Sequence, residues 1–161
     1  MPRIAAGLLM YRLREGTLEV LLAHPGGPYF ANKDAGAWTL PKGEPDPGEQ
    51  HDSDDHLLAV AEREFHEETG LTPTGEYLPL GSIKQKGGKV VHAWAFAGDC
   101  DPSDCHSNLF TMEWPPKSGR VAEFPEMDRA EWFDLATARV KLKDAQVPFL
   151  ERLAEQINPQ C

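Results

Sequence analysis

Four glutamates, Glu62, Glu64, Glu67 and Glu68, crowd one short stretch, AEREFHEETGL. Glu64, Glu67 and Glu68 stand at i, i+3 and i+4, so on a helix their carboxylates project side by side and repel. They also fall near the helix C-terminus, where the dipole favours cations instead. A sequence that breaks a local rule this densely does so at functional sites. A hard divalent cation accommodates three converging carboxylates, and oxygen donors with octahedral demand point to Mg²⁺ or Mn²⁺. The competing reading is the solvated acidic face of a surface helix. Arg63 inside the cluster, Gly43 upstream and Gly70 directly after it favour the metal.

A helix from about Asp54 to Thr69 must hold these groups. Asp52, Ser53 or Asp54 can N-cap it, and the acids there suit the positive end of the dipole. Leu58, Ala61 and Phe65 recur at i, i+3 and i+7 and predict an apolar stripe facing a core. Gly70 is the stop, and Leu71 is expected to fold back onto Phe65.

The stretch from Trp38 to Leu71 resembles the signature box of the Nudix hydrolases. That pattern runs Gly, five residues, Glu, seven residues, Arg-Glu, an aliphatic or aromatic residue, any residue, Glu-Glu, any residue, Gly, aliphatic. Gly43, Glu49, Arg63, Glu64, Phe65, Glu67, Glu68, Gly70 and Leu71 match it. The run REFHEETGL fits without a gap. The first half departs from it, because thirteen residues separate Glu49 from Arg63 instead of seven. Either the acidic run QHDSDDH carries an insertion and Glu49 keeps its role, or Asp55 substitutes for Glu49. The local wording Pro47-Gly48-Glu49 favours insertion, with Gln50 to Asp54 facing solvent.

The resemblance implies an α/β/α sandwich with a mixed sheet and hydrolysis of a nucleoside diphosphate-linked compound. It implies Mg²⁺ held by Glu64, Glu67, Glu68 and the Gly43 carbonyl, with Arg63 orienting the carboxylates. The general base is a box glutamate such as Glu67, or Glu123 or Glu126 from the loop before the last strand. Lys42 lies in a Leu-Pro-Lys-Gly run like that of dinucleoside polyphosphate and diphosphoinositol polyphosphate hydrolases. A point charge there suits a phosphate chain. Lys117 and Arg120 are weaker candidates for the same work. Tyr29 and Phe30, in a Gly- and Pro-rich loop, are candidates for stacking a head group. Trp38 and Trp114 are expected in the core. The substrate expected is a dinucleoside polyphosphate or related polyphosphate. The rivals are ADP-ribose or a nucleoside triphosphate, and, in another class, a nucleotide-sensing Nudix module without catalysis.

The remaining chain supplies the elements. Ile4 to Leu13 and Leu18 to Ala23 predict a strand hairpin, followed by a long loop and a short strand at Trp38 to Leu40. After the helix, Tyr77 to Gln85 and Val90 to Ala97 predict two strands around Lys86-Gly87-Gly88-Lys89. Leu109 to Trp114 is another strand, Pro115 to Pro125 a loop, and Arg129 to Phe133 a closing strand. Asp134 can cap a short turn, and a last helix runs from Lys143 or Asp144 to about Ile157. Strands, helix, strands, helix is an α+β order.

The 161 residues suit one domain, 1–161. A formal net charge of −10 disfavours nucleic acid as a partner. No apolar run spans a membrane and no signal peptide is evident, so a cytoplasmic protein is expected. Cys100, Cys105 and Cys161 are expected as free thiols, their spacing with His92 and His106 being irregular for zinc.

Overall fold

The computed structural model describes residues 3–157. Cys161 lies outside them. The first strand, β1 (Ile4–Arg14), is apolar on both faces over IAAGLLM, as suits the centre of a sheet covered twice. A two-residue turn at Glu15 and Gly16, with φ of 52° and 80°, joins it to β2 (Thr17–Pro25). Positive φ at both positions matches the twist of a tight hairpin.

The main sheet runs β4 (Leu78–Lys84), β5 (Val90–Ala97), β1, β2, β8 (Met127–Asp134). The β1–β5 pair is parallel and the others are antiparallel. This is the expected mixed sheet. Its edge beside β1 is shared. β2 takes the second half of β1, at Tyr11 to Arg14, while the short β3 (Lys42–Gly43) takes Ala6 and Gly7. Gly7 permits this, since a Cβ there would lie 2.3 Å from Leu40 Cδ1 and 2.6 Å from the Pro41 carbonyl oxygen.

Alternation along the strands divides the core. Ala6, Leu8, Met10 and Leu21 pack with α1 (Asp54–Thr69) through Leu57, Val60, Ala61 and Phe65. Ala5, Leu9, Val20 and Leu22 pack on the other face with Phe149, Leu150 and Leu153 of α3 (Val147–Ile157). Ala138 of α2 (Leu135–Lys141) joins the second cluster. Helices therefore cover both faces. Among the described residues, no helix is long and apolar enough to cross a membrane.

Several expectations need correction. The stripe of α1 is Leu57, Val60, Ala61 and Phe65, with Leu58 only half-buried at its flank. Trp38 to Leu40 makes isolated bridges, Ala23 to Thr39 and Trp38 to Leu142, and regular pairing begins only at Lys42. Val121–Pro125 is a strand, β7, paired with β6 (Leu109–Glu113) in a separate two-stranded sheet. Only the segment from Pro115 to Arg120 turns. The prolines bounding 115–125 masked a period of two in which Ala122 and Phe124 are half-buried and Val121 and Glu123 exposed. Trp114, just past β6, is half-buried rather than core, whereas Trp38 is 1% exposed.

Candidate active site

Ser53 caps α1, its hydroxyl accepting from the His56 N–H at 3.2 Å. Gly70 ends it with φ of 78°, and Leu71 packs on the cluster that contains Phe65. The six extra residues of the box are thus more than a loop. Gln50 to Asp55 are all exposed, but they include the cap and the first two residues of the helix. Losing such a cap costs about 1 kcal/mol. Ser53→Ala, or deletion of residues 50–55, should therefore lower stability by about that amount in urea unfolding and leave hydrolysis measurable. An inactive deletion product would place Asp52, Asp54 or Asp55 in the site.

Arg63 is the hub of the cluster. It grips Glu49 with two parallel hydrogen bonds, Nε to Oε2 at 2.9 Å and Nη2 to Oε1 at 2.8 Å. Nη1 donates to Glu64 Oε1 at 2.8 Å and to Glu67 Oε2. Nη2 also reaches the Glu44 carbonyl at 3.3 Å. This fork holds the Glu49 carboxyl below the usual range. Asp55 stands exposed in the first turn of α1. The pairing therefore falls to Glu49 across the insertion.

Glu64, Glu67 and Glu68 line a cavity of about 290 Å³ with Lys42, Gly43, Asn108 and Glu126. A Cβ on Gly43 would fall 2.0 Å from Glu64 Oε2, so any other residue there would displace that carboxylate. Burial raises the Glu64 carboxyl. Burial, and then repulsion from Glu64, pushes Glu68 up to about 8. Glu68 Oε2 is buried with no hydrogen-bond partner. An orphaned carboxylate oxygen beside a second, half-buried carboxylate fits a hard cation, and Mg²⁺ or Mn²⁺ would take Glu64, Glu67, Glu68 and the Gly43 carbonyl. Among the described residues no three such side chains are already gathered around one point. Glu64 and Glu67 are turned to Arg63, so the donors are present and engaged with a stand-in charge.

The other expected residues divide. Glu126 lines the cavity, and burial followed by repulsion from Glu67 raises its carboxyl. Glu123 does not line it. It projects from the exposed face of β7, opposite to half-buried Phe124. Lys117 and Arg120 are exposed at the tip of the β6–β7 hairpin, away from the cavity, and the Lys117 N–H is occupied by Glu113 Oε1 at 3.0 Å. Tyr29 is 56% exposed and meets Trp114 edge-on, centroids 5.4 Å apart. Phe30 is half-buried with the Lys33 ammonium 5.5 Å from its ring centre. Lys42 borders the cavity, and burial, then repulsion from Lys89 and Lys143, brings it down to about 8.

Asn108 had no signal in the sequence beyond its place in a polar loop. Its N–H donates to the Glu67 carbonyl at 3.0 Å, and its side-chain amide to Glu67 Oε1 at 3.4 Å. The Glu126 N–H in turn donates to the Asn108 carbonyl at 2.9 Å. The base of the β6–β7 hairpin is thereby tied to the end of α1. Cys100 and Cys105 are free thiols.

The family model of the NUDIX domain matches residues 1–153. The chain belongs to the Nudix family. Three solved structures share the Nudix fold. The NUDIX domain of Shewanella oneidensis NrtR, complexed with ADP ribose, is 16% identical over 98% of this chain and 90% of its own, with a TM-score of 0.67. A C. elegans Ap4A hydrolase in a binary complex is 24% identical over 98% of each chain, with a TM-score of 0.63. A mutT/nudix family protein from Listeria innocua is 19% identical over 99% of this chain and 97% of its own, with a TM-score of 0.63. No curated protein matches the chain significantly. As a Nudix hydrolase it acts on phosphoanhydride bonds of nucleoside diphosphate-linked compounds.

Proposed function

We propose that the protein is a Mg²⁺-dependent hydrolase of dinucleoside polyphosphates or a related polyphosphate. The observation that carries the metal-dependent reading is the buried, partnerless Glu68 oxygen beside Glu64, in a cavity walled by Gly43. When bound, a divalent cation supplies Lewis-acid polarisation of phosphoryl oxygens and a more acidic water. Arg63 neutralises and orients the box carboxylates. Glu126, rather than Glu123, is the carboxylate outside the box that can take a proton from attacking water. Water oxygen bonds to phosphorus and the bridging oxygen leaves with the far phosphate. The protein's task is placement and charge. Tyr29 with Trp114 offers an aromatic platform for a head group, worth about 1–3 kcal/mol per stacked base.

ADP-ribose is the second reading, supported by the NrtR domain, whose structure holds that compound. A sensing module without catalysis would be expected to lack box carboxylates, and this chain keeps Glu64, Glu67 and Glu68. Incubating the protein and Mg²⁺ with diadenosine tetraphosphate, ADP-ribose and ATP, and separating products by chromatography, tests the choice. Fastest turnover of ADP-ribose would replace the polyphosphate reading.

Metal binding has its own readout. Mg²⁺ should raise the melting temperature of the wild type by mass action on the native state. It should not do so in the Glu67→Gln/Glu68→Gln double variant. Equal shifts in both proteins would place the metal elsewhere.

A further inference from the structure

His24, near the end of β2, is 1% exposed and has no part in the chemistry above. Its ring is bonded at both nitrogens. Nδ1 lies 2.8 Å from Asp128 Oδ1, and Nε2 lies 2.6 Å from the Lys33 carbonyl oxygen. A carboxylate and a carbonyl only accept, so the ring satisfies both when each nitrogen carries a proton. Trp38 meets the same ring edge-on, centroids 5.1 Å apart.

Two features of the backbone bring these groups together. The pairing of β2 with β8 slips between His24 and Pro25, which face Arg129 and Met127, so Asp128 stands opposite no residue. Such a bulge re-aims a side chain, and here the Asp128 carboxylate turns to His24. On the other side of the ring lies the arm of residues 26–36. The Gly26 N–H at its root donates to the Glu126 carbonyl at 3.0 Å. Near its far end, Asp34 takes the Trp38 indole N–H at 2.8 Å and the Lys141 ammonium at 2.5 Å. Between them the turn Pro28–Phe30 carries Tyr29, and the Lys33 N–H closes it onto the Phe30 carbonyl at 3.0 Å. Among the described residues, the bond from His24 is the only hydrogen bond that joins residues 27–33 to the rest of the protein.

That bond holds the arm against the β6–β7 hairpin. A Cβ on Gly27 would fall 3.0 Å from the Phe110 ring, and exposed Tyr29 meets Trp114 edge-on. An untied arm would spend part of its time away from this pose. Apparent affinity falls with the fraction of molecules in the competent pose. We propose that His24 is a positioning residue for substrate recognition, a latch that pins the arm at Lys33 and so holds Tyr29 in place for the head group of the nucleotide. It acts on affinity and not on the step at phosphorus. The consequence for the substrate rests on the hydrolase reading above, whereas the latch itself does not.

Two arms test the proposal. Asp128→Ala removes one partner of the ring at an exposed position, and His24→Leu removes the ring itself. In metal-free, ligand-free protein, hydrogen–deuterium exchange of the amides of residues 29–36 should quicken by about tenfold in Asp128→Ala and by more in His24→Leu. Amides in the middle of α1 should keep the wild-type rate. In the second arm, with Mg²⁺, Asp128→Ala should raise KM for diadenosine tetraphosphate by about tenfold and leave kcat within about twofold. Loss of folded protein alone would do the reverse, lowering kcat at unchanged KM. Tyr29→Ala should itself raise KM, and adding Asp128→Ala to it should cost less than about twofold more, because the latch works through that ring. Unchanged exchange of the arm in both variants, a fall in kcat without a rise in KM, or a full tenfold effect in the Tyr29→Ala background would overturn the proposal. A wild type that cleaves no nucleotide would retire the hydrolase reading. Calorimetric binding of diadenosine tetraphosphate then decides, with a tenfold weakening in Asp128→Ala supporting the latch and equal affinities overturning it.

Discussion

Glu68→Gln should yield a folded protein that has lost turnover by about 100-fold or more. A metal ligand is worth several kcal/mol of transition-state stabilisation, and each 1.4 kcal/mol or so is a factor of about ten. The fold should survive because the side chain keeps its volume and gives up a charge that burial opposes. The same variant carries a pH signature in the absence of metal. Burial lifts the folded carboxyl to about 8 from an ordinary value of 4.5. Between those pH values the folded protein keeps a proton that the unfolded chain releases. Stability of the metal-free wild type is therefore full at low pH and falls as pH rises through that window. Glu68→Gln should flatten the fall. Melting temperature against pH in chelator reads it directly, and a wild-type profile as flat as the variant's would mean that Glu68 does not bind the proton its surroundings favour. Wild-type turnover in Glu68→Gln would remove it from the metal site.

Arg63→Ala should be the most damaging single change to the fold around the site. It would strip one guanidinium from Glu49, Glu64, Glu67 and the Glu44 carbonyl at once. Breaking a buried ion pair costs about 3–5 kcal/mol. The Arg63 side chain is 25% exposed, so water screens part of that, and about 2–3 kcal/mol is the expected loss. Turnover should collapse with it, since the carboxylates would repel without a cation between them. Arg63→Lys should recover some stability but little activity, because an ammonium cannot reproduce the fork that grips Glu49. Chemical denaturation of the three proteins decides this. An Arg63→Ala protein as stable as wild type would show that the pairs are ornamental.

What could be read in advance was whatever local chemistry specifies. The helix from Asp54 to Thr69 declared itself through a cap, an apolar stripe and a stop, all within one stretch. That Glu49 and not Asp55 keeps its place in the box was legible from the Pro47-Gly48-Glu49 wording, but its pairing with Arg63 across the insertion was not. The choice between Glu123 and Glu126 was not. It depends on which face of β7 meets α1, and that face is set by Asn108 and Gly26, which bond to Glu126 across 18 and 100 residues of sequence. Of the β6–β7 hairpin, β6 was legible and β7 was not, because the segment that holds β7 opens and closes on proline, which ordinarily signals a loop.

Gly7 lies in the first strand and contributes no functional atom to the reaction. Yet it alone allows Leu40, Pro41 and Lys42 to press into the opening between β1 and β2. A methyl group there would push against the backbone that delivers Gly43 to Glu64. Tolerance to substitution in this protein is therefore not a map of distance from the chemistry. A position with nothing to donate or accept can be as constrained as a ligand, and a catalogue of damaging variants would point to the interior of the sheet as readily as to the acidic cavity.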